Sequence, residues 1–111
     1  DGIFAVSDSV AIGALTALRE EGWRVPADVA VIGFSDWAVC QLLDPQVSSV
    51  AQPGYEIGCQ AAQLLLREIQ QLRDELPLEH SRTVLEATLR VRGSSQRLAT
   101  VANETRLIEY N

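Results

Sequence analysis

Two short apolar runs, residues 3–6 and 29–34, each end in the same dipeptide, Ser7-Asp8 and Ser35-Asp36. Between them lies one amphipathic helical pattern over 9–21, with Ala11, Ala14, Leu15 and Leu18 on one stripe and Val10 and Ala17 flanking it. Apolar runs that do not alternate suit strands covered on both faces. The layout therefore predicts a strand, a crossover helix and a second, parallel strand. A right-handed crossover sets the two Ser-Asp pairs side by side at the carboxyl edge of one sheet. That edge is where open α/β sheets bind ligands. The expected pocket floor is Ser7, Asp8, Ser35 and Asp36, with Trp37 beside them.

The rest of the chain extends this unit. Asp8 is a natural N-cap for the first helix, with Ser7 the other candidate, and Gly22 is a natural residue just past its end. The apolar arc of this helix is wide enough to cover a sheet and touch a second surface. Trp23 is expected to pack over the helix end, and Gly33 to let a backbone or ligand come close. Residues 37–43 read as a short helix begun at Asp36 and stopped before Pro45, with Val39, Leu42 and Leu43 apolar. A short β-branched strand follows at 47–51.

The longest predicted element is a helix over 53–76, opened by Pro53 at its first position. Gly58, Ala61, Leu65, Ile69, Leu72 and Leu76 form its stripe. A helix of this length spans roughly 30–35 Å, long for so small a sheet, so it needs another surface to rest on. Residues 77–82 form a polar loop, and its lone His80 has no assigned role. Residues 83–92 alternate as a strand with one wet face, which carries Glu86, Thr88, Arg90 and Arg92. Gly93-Ser94-Ser95 ends it. Residues 96–111 read as a tail, frayed or with a short helix around 104–110.

Composition removes several classes of function. The 111-residue chain carries a net charge of −6, and all nine of its basic residues are arginine, scattered along the chain. That is a poor match to a phosphate backbone. No run is long enough to span a membrane. The absence of methionine implies a piece of a longer protein. Cys40 and Cys59 lack metal or redox spacing and read as small core residues, with a disulfide the less favoured alternative, and one His cannot complete a zinc site. Asp8 and Asp36 at neighbouring strand ends could suggest acid–base chemistry, but no His or Lys partner and no Gly-rich phosphate loop accompanies them. Capping is the simpler role for both, so no enzyme, cofactor or metal is expected.

Five stretches in fixed order are specific: DGIFAVSDSVAIGAL, RVPADVAVIGFSD, LLDPQVSSVAQP, GxxAAxLLL and LRVRGSS. Together, over residues 1–95, they resemble the C-terminal part of a bacterial transcriptional regulator of the lac repressor family. The resemblance implies an α/β fold: a parallel sheet flanked by helices, forming part of a periplasmic-binding-protein-like (type I) core. It assigns 1–52 and 86–95 to the C-terminal lobe and 53–85 to the N-terminal lobe, with crossings near 51–53 and 85–87. It implies a small effector, sugar-like or nucleoside-like, held between lobes in a cytoplasmic repressor. Operator DNA is touched only by an N-terminal domain outside this chain. A periplasmic solute receptor of the same fold is the alternative.

The same resemblance carries over site residues. Effector contacts fall on Ser7, often Asn in relatives, and Ser35, often Asp. Asp8 matches a position that mainly caps a helix, and Asp36 could take over some ligand contact. Serine is shorter and neutral, which makes the pocket base less acidic or roomier. Gly54 lies near a position where relatives place a large side chain over the ligand. The family's dimer face maps to Ala11, Ile12, Leu15, Leu18, Val39, Leu42 and Leu43, implying a homodimer or higher oligomer.

Overall fold

The structure is a computed structural model that describes residues 1–78 and 80–97. Strand β1 (Gly2–Phe4) leads into helix α1 (Asp8–Glu20), which returns to strand β2 (Ala30–Phe34). A four-residue 3-10 turn (Ala38–Gln41) precedes strand β3 (Ser48–Ala51). Helix α2 (Gly54–Arg73) and strand β4 (Thr88–Arg90) complete the described elements. The sheet order is β1-β2-β3-β4. β1 pairs with β2 and β2 with β3 in parallel, while β4 runs antiparallel to β3. The sheet is therefore mixed at its last strand and parallel elsewhere.

The alternation along β2 shows which faces are covered. Val31 and Gly33 are buried beneath α1, while Ile32 and Phe34 point the other way and are only half-buried. On that second face Phe4 and Phe34 meet edge to face, ring centroids 6.3 Å apart, and Phe4 remains exposed. Residues expected to be covered on both faces are thus covered by this chain on one. The core is small: Ala5, Ala11, Val31, Cys40 and Val47, with Leu15, Leu18, Val25 and Leu43 packed against it.

Several boundaries differ from expectation for local reasons. Ser7, not Asp8, is the N-cap of α1, and its hydroxyl accepts the Val10 N–H at 3.4 Å. Gly22 lies just past that helix at φ +76°, which suits glycine. The segment expected as a helix over 37–43 closes only one 3-10 turn. Its cap position, Trp37, makes no side-chain cap bond, so Asp36 does not start it. Pro53 sits at the cap of α2 rather than at its first helical position. The last strand is three residues, because 81–87 runs beside α2 without a strand partner. Trp23 is more than half exposed. The tail helix expected around 104–110 lies outside the described residues.

The two ends of the molecule are packed very differently. Among the described residues α2 has no buried residue and makes no substantial packing contact with another element. The molecule measures 70 × 33 × 25 Å with a radius of gyration of 21.1 Å. A compact chain of this size has a radius near ~13 Å. The long helix thus stands away from the sheet.

Candidate functional site

The two Ser-Asp pairs do meet at the carboxyl edge of the sheet, but their carboxylates do different work from each other. α1 starts directly behind β1, and Gly33 of β2 lies under its first turn. A Cβ at Gly33 would strike the Asp8 carboxylate and come within 3.3 Å of the Ala11 Cβ, so only glycine lets the helix start seat here. Asp8 is consequently fully buried. Its Oδ2 accepts the Trp37 N–H at 2.7 Å and its Oδ1 accepts the Ser49 hydroxyl at 2.6 Å. Both oxygens are spent inside the protein. Asp8 is a buried strut that ties α1 to β3 and to the turn after β2.

That turn has unusual backbone. Ser35 takes φ +117° and Asp36 φ +54°. Aspartate tolerates the left-handed region, whereas serine near +117° carries a cost of about 1–3 kcal/mol. Three successive backbone donors hold it there. Ser35 N–H donates to the Val50 carbonyl at 2.9 Å, Asp36 N–H to the Ser49 hydroxyl at 3.0 Å, and Trp37 N–H to Asp8. The Asp36 carboxylate faces inward as well: its Oδ1 lies 2.7 Å from Arg92 Nη1, with both side chains largely covered. The same nitrogen donates an aligned hydrogen bond to the Val47 carbonyl at 2.7 Å. Asp36 meets Arg92 as a charge pair without an aligned N–H of its own. Contact with Asp36 raises the Arg92 guanidinium above its ordinary value and keeps it charged.

What remains open at the edge is Ser7, half-covered and weakly engaged as a cap, Ser35, half-buried, and the indole of Trp37, 52% exposed. This is a neutral rim of two hydroxyls and one aromatic face over a buried charged floor. Cys40 sits just behind it, and burial, reinforced by the Asp8 carboxylate, pushes its thiol up to about 11. Cys40 and Cys59 are both free, and only Cys40 is a core residue: Cys59, expected in the core, is half-buried on α2, which among the described residues makes no substantial contact with the sheet. Among the described residues no group of three or more His, Cys, Asp or Glu side chains could hold a metal ion. No helix among them is long and apolar enough to cross a membrane.

Four residues of the arrangement escaped the sequence reading. Ser48, Ser49 and Ser94 are fully buried. Ser94 Oγ accepts the Ser48 N–H at 2.8 Å and donates to the Val31 carbonyl at 2.6 Å. Arg92, expected on a wet strand face, instead reaches under the sheet edge. The available signal was polar and small: two serines inside a β-branched strand and two more after the last one, spaced to face each other across a sheet.

The expected partner face divides in a similar way. Ala11 is fully covered by its own sheet and has no surface left for a partner. Leu15, Leu18 and Leu43 are half-buried against the same core, and Ile12 is half-exposed beside them. Val39 and Leu42 are exposed, Leu42 at 83%. A cavity of about 610 Å³ lies elsewhere, between α2 and the extended segment 81–85, and is lined mainly by apolar groups such as Ile57, Ala61, Leu64 and Val84.

The described elements are thus a sheet, parallel but for its last strand, with a polar carboxyl edge, and a long helix set apart from it. The chain belongs to the periplasmic binding protein-like domain family, whose model matches residues 1–95. The proteins it is similar to include bacterial transcriptional regulators of the LacI family. The transcriptional regulator CelR of Thermobifida fusca is 43% identical over 94 residues, covering 85% of this chain and 26% of that protein. The ribose operon repressor of Haemophilus influenzae strain Rd is 37% identical over 93 residues, covering 83% of this chain and 26% of that protein. The solved CelR–cellobiose complex superposes with a TM-score of 0.75 at 41% identity, covering 86% of this chain and 28% of that one. The chain thus spans roughly a quarter of the length of these relatives.

Proposed function

We propose that this chain supplies one wall of an effector-binding cleft, and part of the dimer face, in a transcriptional repressor. In this reading 1–52 and 86–95 belong to the C-terminal lobe and 53–85 to the N-terminal lobe. A helix-turn-helix domain outside the chain contacts operator DNA, and the protein works in the cytoplasm without catalysing a reaction. The observation that carries the effector role is the neutral rim at the sheet edge, where the half-exposed Trp37 stands beside Ser35 and Ser7. Hydroxyls that both donate and accept suit polyol or nucleoside groups, and an aromatic face offers apolar area with a defined geometry. Val39, Leu42 and Ile12 supply the apolar surface left for a second copy.

The test is calorimetric titration of the full-length protein with cellobiose, ribose, adenosine and cytidine. At least one is expected to bind, and Ser7→Ala combined with Ser35→Ala is expected to weaken it tenfold or more. Light scattering is expected to show the same oligomeric state in both proteins. Unchanged affinity would remove the two serines from the site, and no binding by any compound of the panel would remove the sugar-or-nucleoside reading.

A further inference from the structure

We infer that Arg92 and Ser49 are positioning residues that clamp the Ser35–Trp37 turn, and that through them the two chain segments leading to α2 control the geometry of the ligand edge. The consequence for ligand binding rests on the effector reading above, whereas the clamp itself does not.

The argument begins with connectivity. β3 leaves the sheet through Gln52 and Pro53 directly into α2, and β4 is the return from α2 by way of 81–87. These strands pair antiparallel, with Ser49 opposite Arg90. Ser49 of β3 and Arg92, two residues past β4, each send a side chain to the same turn. Ser49 takes the Asp36 N–H and gives its own proton to Asp8, while Arg92 sets its guanidinium against the Asp36 carboxylate. Arg92 is itself anchored on the β3 side: its backbone N–H donates to the Ser48 hydroxyl at 2.6 Å and its Nη1 to the Val47 carbonyl.

The turn cannot hold its shape from local preference, because Ser35 stands at φ +117°. It is held by groups on β3 and after β4. A shift of those strands relative to β2 must therefore move Ser35 and Trp37, the residues that face the ligand. Any movement of the α2 arm transmitted to either crossing reaches the ligand edge by two short routes, one hydrogen-bonded through Ser49 and one a charge pair through Arg92. Ligand seated on Ser35 and Trp37 biases the crossings in return, by reciprocity of coupling.

The experiment compares Arg92→Gln and Arg92→Lys in the full-length protein. Lysine keeps a single charge contact with Asp36, which is the only contact Arg92 makes there, so it is expected to rescue. The first readout is amide hydrogen exchange without ligand. Exchange at Asp36 and Trp37 should accelerate tenfold or more in Arg92→Gln, stay near the parent rate in Arg92→Lys, and be unchanged at Val31 in both. An acceleration that includes Val31 equally, or none at all, overturns the clamp. Should Arg92→Gln not fold, Asp36→Asn keeps the side-chain volume and is read by the same amides.

The second readout is titration with cellobiose. The clamp predicts a tenfold or greater loss in Arg92→Gln, restored to within threefold in Arg92→Lys. Equal affinity in both variants and parent overturns the control of the ligand edge. If the parent does not bind cellobiose, the sugar reading fails for that compound while the exchange result still decides the clamp.

Discussion

Gly33 is the residue on which the site's architecture turns. A methyl group there meets the Asp8 carboxylate and the Ala11 methyl, so α1 must back away and both bonds of Asp8 must lengthen. Gly33→Ala is expected to destabilise the fold by about 1–3 kcal/mol, the usual range for overpacking. A lower urea midpoint with unchanged slope is the measurement that checks it. Cys40 makes a second, chemical case. Its thiol is fully buried and held up to about 11, and the thiolate is the reactive form. At pH 8 iodoacetamide should label Cys59 on α2 and leave Cys40 untouched until the chain unfolds. Labelling of both at one rate would show an open core. The fold favours the neutral thiol, so this contribution is complete below the ordinary value of 9.0 and is lost as pH rises toward 11.

At the scale of elements, β4 is too short to hold its place by ladder bonds alone. The serines beside it supply what the ladder lacks. Ser94 bridges the Ser48 N–H on β3 and the Val31 carbonyl on β2, and Ser48 Oγ bonds the Arg92 carbonyl and the Ser95 hydroxyl. Ser94→Ala leaves a buried N–H and a buried carbonyl without partners. It should cost about 1–3 kcal/mol, the penalty of an unsatisfied buried group. Ser95→Ala, which touches only the outer hydroxyl, should cost less. Urea unfolding of the two variants side by side checks the order, and the reverse order would show that the bridge does not hold β4.

At the scale of the molecule, the dominant fact is an unsupported helix. Ile69 and Leu72 are exposed along the α2 stripe, Leu72 at 62%, and the facing segment 81–85 leaves a wide apolar gap. Contiguous apolar surface of this kind drives association. Residues 1–97 produced alone should therefore self-associate, or the helix should fold back onto its own sheet. Replacing both residues, Ile69→Glu with Leu72→Glu, should shift sedimentation toward monomer. An oligomeric state untouched by the double change would mean that the stripe is not the contact.

Strand–helix–strand order, the parallel pairing of β1 with β2, and the meeting of the two Ser-Asp pairs were all legible in one dimension. Apolar run length, a 3.6-residue stripe and cap residues are local signals, and a parallel crossover leaves little choice about which strand ends adjoin. The excess length of α2 over the sheet was legible for the same reason, as rise per residue is fixed. How the two carboxylates are taken up inside the protein was not. Asp8 and Asp36 look alike in sequence. Their fates depend on Ser49 of β3, 41 residues beyond Asp8, and on Arg92 just past β4, 56 residues beyond Asp36, which reach the same turn only when β3 and β4 pair. Burial and charge pairing are properties of groups brought together from distant parts of the chain, so only the tertiary structure could decide that the charged floor is structural and that the neutral rim of Ser7, Ser35 and Trp37 is what stays exposed.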